Sequence, residues 1–158
     1  MTNPDRMLCE RFVRRCFELA RQAVEAGNHP FGALLTREDT VLLEDRNTVG
    51  TDGVTGHAEL NLVRRALAEI GRDALTECTL YTSTEPCAMC AGAIYWARIP
   101  RVVFGCSVEG LASVTEGTLV MPCREVFARS DRRVAVTGPV LPEDALDVHR
   151  EFWPHRQR

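Results

Sequence analysis

The chain has 158 residues, a formal net charge of −3 and a sequence pI near 5.8, with 45% hydrophobic and 26% charged residues. That length builds one compact domain, expected to span residues 1–158, and leaves no room for two full ones. Mild acidity with mixed signs argues against a protein held chiefly by nucleic-acid phosphates, which carries a basic stripe. No apolar run approaches membrane-spanning length, and the start MTNPDRMLCERFVRR lacks the apolar stretch of a signal peptide, so a cytoplasmic protein with no membrane partner is expected.

Asn3-Pro4 reads as N-cap and first helical residue, followed by Leu8, Phe12, Cys16, Leu19 and Ala23 at the steps of an amphipathic helix that stops at Gly27. Phe31 to Thr36 and Thr40 to Glu44 read as strands around the turn Arg37-Glu38-Asp39. The run RNTVGTDGVTG at 46–56 is predicted to be loop. Leu60, Val63, Leu67 and Ile70 mark a second helix that ends at Gly71. A strand over Thr79 to Thr82 is broken by Thr84-Glu85-Pro86, and a third helix, CAMCAGAIYWA at 87–97, opens directly after the proline. Arg101 to Phe104 is a further strand, a polar loop runs through Thr118, and a helix at 122–128, a strand at 133–137 and a helix at 142–152 follow. Helices alternating with strands imply an α/β sheet covered on both faces.

Seven cysteines cannot all pair within one chain. Cys9, Cys16, Cys78, Cys106 and Cys123 are scattered, whereas Cys87 and Cys90 stand three apart, which puts both sulfurs on one side of a first helical turn. The positive end of that helix favours thiolates, the form that binds zinc. His57 begins the second helix, directly after a glycine-containing loop, and two thiolates with one imidazole would give Zn²⁺ three protein ligands, no net charge and an open fourth position. Glu59 lies two residues from His57, off the metal's own line but able to exchange a proton with a water there. A redox C-x-x-C pair, or a structural site completed by Cys78 or Cys106, are the alternatives. Neither uses Glu59 or Pro86.

The pair H-x-E and P-C-x-x-C resembles the signature of zinc nucleobase deaminases. From about His29 to Gly105 the chain looks like a member of the cytidine deaminase-like superfamily, nearest to guanine deaminases and related nucleoside deaminases, through His29-Pro30-Phe31-Gly32-Ala33 and EPCAMCAGAIYWAR. The resemblance implies a three-layer α/β/α fold with a central five-stranded mixed sheet, and a homodimer. It implies zinc on His57, Cys87 and Cys90, with Glu59 as catalytic proton shuttle. It also implies substrate contacts from Asn47, from Phe31 beside the base and from Trp96 closing the pocket. An acidic residue reads the substrate edge in guanine deaminases; of Glu109 and Glu116, spacing prefers Glu116. The helix starts add backbone amides at Ala58 or Cys87 for substrate polar groups. Phe152 and Trp153 either form an aromatic lid, as the C-terminus does in fungal-type cytosine deaminases, or pack the last helix onto the sheet. The closing segment PEDALDVHREFWPHRQR is acidic at its start, which disfavours the phosphates of tRNA. The expectation is hydrolytic deamination of a free nucleobase, guanine to xanthine and ammonia first. Cytosine, a triazine or a nucleoside is the alternative within the fold. A tRNA adenosine substrate, or a zinc-stabilised binding module without catalysis, follows behind.

Overall fold

A computed structural model describes residues 2–153. Helix α1 (Asn3–Glu25) opens with a capping box in which the Thr2 hydroxyl accepts the Asp5 N–H and the Asp5 carboxylate accepts the Thr2 N–H. Thr2, not Asn3, is therefore the N-cap, because only a residue three before the acidic side chain closes both bonds. Strands β1 (Gly32–Arg37) and β2 (Thr40–Arg46) form a hairpin, and helices α2 (Val49–Asp52) and α3 (Ala58–Glu69) follow. Then come β3 (Cys78–Thr84), α4 (Ala88–Trp96), β4 (Arg101–Cys106), α5 (Val108–Ala112), α6 (Cys123–Ala128), β5 (Ala135–Thr137) and α7 (Pro142–Phe152).

The five strands lie in the order β2-β1-β3-β4-β5, with β1 antiparallel to both neighbours and β3, β4 and β5 parallel. This is the expected mixed sheet in three layers. Alternation along the strands divides the interior: Ala33, Leu35, Leu80 and Phe104 face a core shared with α3, α4 and α6, while Leu34, Tyr81 and Val103 face α1 and α7. At Gly32 a Cβ would stand 2.5 Å from the Cys16 carbonyl oxygen, so α1 rests directly on the strand that leads into the site. Among the described residues no helix is long and apolar enough to cross a membrane.

Three details depart from the pattern read in the sequence. The stretch 46–56 contains α2 and a further single turn at Gly53–Thr55. One tertiary and one local bond hold α2: Asn28 Oδ1 accepts the Gly50 N–H at 2.8 Å, and the Thr48 hydroxyl donates to Asp52 at 2.6 Å. The polar loop after β4 contains α5, capped by the Ser107 hydroxyl, which accepts the Gly110 N–H. Helix α3 turns Ala58, Glu59, Leu62, Val63 and Ala66 inward, and leaves Leu67 exposed. A stripe counted from apolar residues alone misses a face that carries a carboxylate.

Candidate active site

The starts of α3 and α4 meet at the carboxyl end of β3, because both helices pack on one face of the sheet and against each other. His57 is the N-cap of α3, Cys87 is the N-cap of α4, and Cys90 lies in the first turn of α4. His57 Nδ1 stands 3.5 Å from the Cys87 sulfur and 3.7 Å from the Cys90 sulfur. A tetrahedral zinc with ordinary Zn–S and Zn–N bonds separates its sulfur and nitrogen ligands by about 3.6 Å. Both sulfur–nitrogen separations therefore match a zinc tetrahedron, all three donor atoms lie within 4.8 Å of one another, and the residues present fit the metal. Neither Cys78 nor Cys106 joins this group: their thiols lie against the carbonyls of Ala74 and Ser107. Among the described residues no fourth side-chain ligand completes the set.

The electrostatics suit a cation. A hydrogen bond from the Cys90 thiol, with a further contribution from His57, holds Cys87 down to about 4. Donating to Cys87, together with burial, pushes Cys90 far above the ordinary thiol range. The two sulfurs thus share one proton, which a divalent cation would displace to gain two thiolates. His57 is raised, chiefly by its hydrogen bond to Cys87.

Glu59 points inward from the first turn of α3, outside the donor triangle. It is 4% exposed, and burial raises its carboxyl above the ordinary range. Its Oε1 accepts the Thr82 hydroxyl at 2.9 Å, and the same hydroxyl lies 3.0 Å from the Thr84 carbonyl, its other possible acceptor. A buried carboxylate held by one rotatable hydroxyl beside a metal position is equipped to take up and release a proton.

Asn47, 1% exposed, follows directly on β2 at the end of the hairpin. Its Oδ1 accepts the N–H groups of His29 and Val49, which fixes the amide orientation and leaves Nδ2 without a partner among the described residues. Gly56 keeps this arrangement together, since a Cβ there would press on Thr48 at 2.8 Å. The Ala58 amide lies at the start of α3, where backbone N–H groups have no partner within the helix.

Phe31 is brought into an aromatic cluster that joins β1 to α7, its ring 5.3 Å from His149 and 6.4 Å from Trp153. Phe152 and Trp153 take different parts in it. Phe152 is buried at 6% exposure and belongs to the packing, whereas half-buried Trp153 stands edge-on to His29 at 5.1 Å. Both are therefore part of the packed wall and not a free lid. His149, which sequence reasoning missed, ties this wall to β3. Its Nδ1 accepts from Trp153 Nε1 at 3.2 Å, which leaves the ring proton on Nε2, 2.7 Å from the Thr84 hydroxyl. The clue in the sequence is the i, i+4 spacing of His149 and Trp153.

Two expected contacts are not made within this chain. Trp96 is 71% exposed, at the far end of α4, six residues and about 9 Å of helix rise beyond Cys90. It shares a surface groove with Arg72 and Arg132. Glu116 is exposed between α5 and α6, and no side-chain hydrogen bond or ion pair links it to the site among the described residues. Spacing along the chain could not foresee either position, since one depends on which end of a helix is open and the other on loop conformation.

The fold and the donor set define a zinc deaminase of the cytidine deaminase-like class. Residues 7–106 match the model of the cytidine and deoxycytidylate deaminase zinc-binding region, and the chain belongs to that family, whose members are zinc-dependent aminohydrolases. It is 38% identical over 148 residues to the probable cytosine deaminase of Schizosaccharomyces pombe, covering 90% of each chain. It is 45% identical over 97 residues to the guanine deaminase of Bacillus subtilis, covering 60% of this chain and 62% of that enzyme. Among solved structures, the guanine deaminase of Nitrosomonas europaea superposes with a TM-score of 0.75 at 26% identity, covering 90% of this chain and 82% of that one.

The His149 contacts make stability pH-dependent. Burial depresses the ring from 6.5 to about 4, and a second ring proton would face the Trp153 N–H donor. Between those values the unfolded chain binds a proton that the fold refuses, so stability is fully present above pH 6.5, falls as the pH drops, and is lost in full below about 4. The loss from pH 7 to pH 5 amounts to about 2 kcal/mol. Urea denaturation at the two pH values should show it for the wild type and show most of it removed in His149→Gln; equal pH dependence in both proteins would contradict the assignment.

Proposed function

We propose that this protein is a nucleobase aminohydrolase that converts guanine and water to xanthine and ammonia. The observation that carries the reading is the buried Glu59 carboxylate, placed beside the His57–Cys87–Cys90 triangle without belonging to it. A purely structural metal site has no use for such a group. Zn²⁺ on these three ligands would act as a Lewis acid that makes water a nucleophile near neutral pH. Glu59 takes a proton from the attacking water and delivers it to the ring nitrogen beside the amine-bearing carbon. It then carries the second proton to the departing amine, which leaves as ammonia. Asn47 Nδ2 and the Ala58 amide donate to acceptors on the base, and Phe31 packs on its ring. Burial around Glu59 keeps bulk water from competing for the proton.

Guanine is preferred on the likeness to the guanine deaminases of Bacillus subtilis and Nitrosomonas europaea. Cytosine is the second reading, favoured by the nearly end-to-end match to the Schizosaccharomyces pombe protein. A free base is preferred over an anticodon arm because α7 presents Glu143, Asp144 and Asp147 among its exposed turns. The reading includes a cytoplasmic setting, in keeping with seven free cysteines. It also includes a homodimer. Met89 and Trp96, two turns apart on α4, are both exposed, and Leu119, Val120 and Met121 add further uncovered apolar surface. In this reading Trp96 serves the contact between copies.

Light scattering should return twice the 17.6 kDa chain mass, and a mass of one chain would remove the dimer from the account. Ammonia release by the zinc-loaded protein should be measured on guanine, cytosine, an aminotriazine, nucleosides and tRNA. Guanine should be turned over fastest, and Glu59→Ala should keep zinc while losing about 10³-fold in rate. Preference for cytosine would select the second reading, and silence across the whole panel would overturn both.

A further inference from the structure

Glu85 is 6% exposed and lies two residues before Cys87. Its Oε2 accepts the Val108 N–H at 3.0 Å and its Oε1 accepts the Cys123 N–H at 2.8 Å. Its own N–H donates to the carbonyl of Cys106, the last residue of β4, at 2.7 Å. Val108 is the first residue of α5, and Cys123 is the first residue of α6. One buried side chain therefore receives both ends of the excursion that separates β4 from α6. Between those ends the chain is largely exposed from Glu116 to Met121, and among the described residues its backbone–backbone bonds after Ser107 are local.

The excursion also borders the site. Thr84 and Cys106 are paired across the parallel strands β3 and β4, so the metal-binding turn and the excursion leave the sheet side by side. Ligands of open α/β sheets bind outside the carboxyl ends of such strands.

We infer that Glu85 is a positioning residue that staples the 107–122 segment in place as one wall of the substrate pocket, so that it governs how tightly the base is bound. The inference rests on the reading of the site as a base deaminase. Two N–H donors converge on two carboxylate oxygens, an arrangement that neither glutamine nor aspartate reproduces. Glutamine turns an amide N–H₂ toward one donor, and aspartate is one methylene too short to reach both. Water cannot readily replace a lost bond at a buried position, so one end of the segment comes loose.

The test compares zinc-loaded wild type with Glu85→Gln by hydrogen exchange, zinc content and steady-state kinetics on whichever base is turned over. Exchange over 107–123 should accelerate about tenfold or more while the other segments and the zinc content stay unchanged. KM should rise about tenfold with kcat within about threefold. Val108→Pro removes one of the two bonds from the donor side and keeps the test decisive if Glu85→Gln does not fold. Proline is tolerated as a first helical residue, and Ser107 before it is already extended at φ −74°, ψ 160°. Unchanged exchange over 107–123, loss of zinc, or a fall in kcat at constant KM would each overturn the proposal. A protein inactive on every base would instead overturn the proposed function, while the exchange result would still decide whether the staple exists.

Discussion

The site depends on two helix starts meeting within one metal-bond length of a common point. His57 and the Cys87–Cys90 pair are separated by 30 residues or more, so nothing local brings them together. The constraint is met by the sheet. Helices α3 and α4 bury apolar faces in the same core, and β3 delivers the second helix next to the start of the first. Once that packing is fixed, the sulfur–nitrogen spacings follow, and Glu59, in the first turn of α3, is carried close to the same triangle. The donor spacing and the place of Glu59 are thus consequences of how two helices lie on one sheet face.

The rest of the structure supports that meeting point from behind. Thr82 holds Glu59, and Thr84 of the same strand bonds His149 of α7, so Glu59 and the C-terminal helix are anchored to one strand end. Glu85 follows directly and binds the excursion carrying α5. Thr82 and Thr84 at the end of β3, with Glu85 just beyond it, tie three separate elements to the metal-binding turn. Buried polar groups in such a place have to be satisfied, and nearly all of them here bond to one another.

Much of this was legible in the sequence because it rests on short-range geometry. The three-residue spacing of Cys87 and Cys90 fixes their common side, and the strand–Pro–helix run at Pro86 fixes which helix end they occupy. The strands read at 31–36 and 79–82, alternating with helices, announced a sheet covered on both faces. What failed depended on distant partners. Helix α2 has a loop composition and is held by Asn28 from another segment. The inward face of α3 was displaced by one stripe because Glu59 counts as polar. Trp96 lies exposed at the far end of its own helix, and His149 reads as a surface residue of an acidic helix until Trp153 and Thr84 enclose it.

The central claim is that His57, Cys87 and Cys90 hold one zinc and leave one position free for chemistry. Zinc K-edge X-ray absorption on the metal-loaded protein tests it directly. The account predicts one zinc per chain with two sulfur neighbours at about 2.3 Å and two nitrogen or oxygen neighbours at about 2.0–2.1 Å. A shell of three or four sulfurs, or a protein that takes up no stoichiometric zinc, would contradict it.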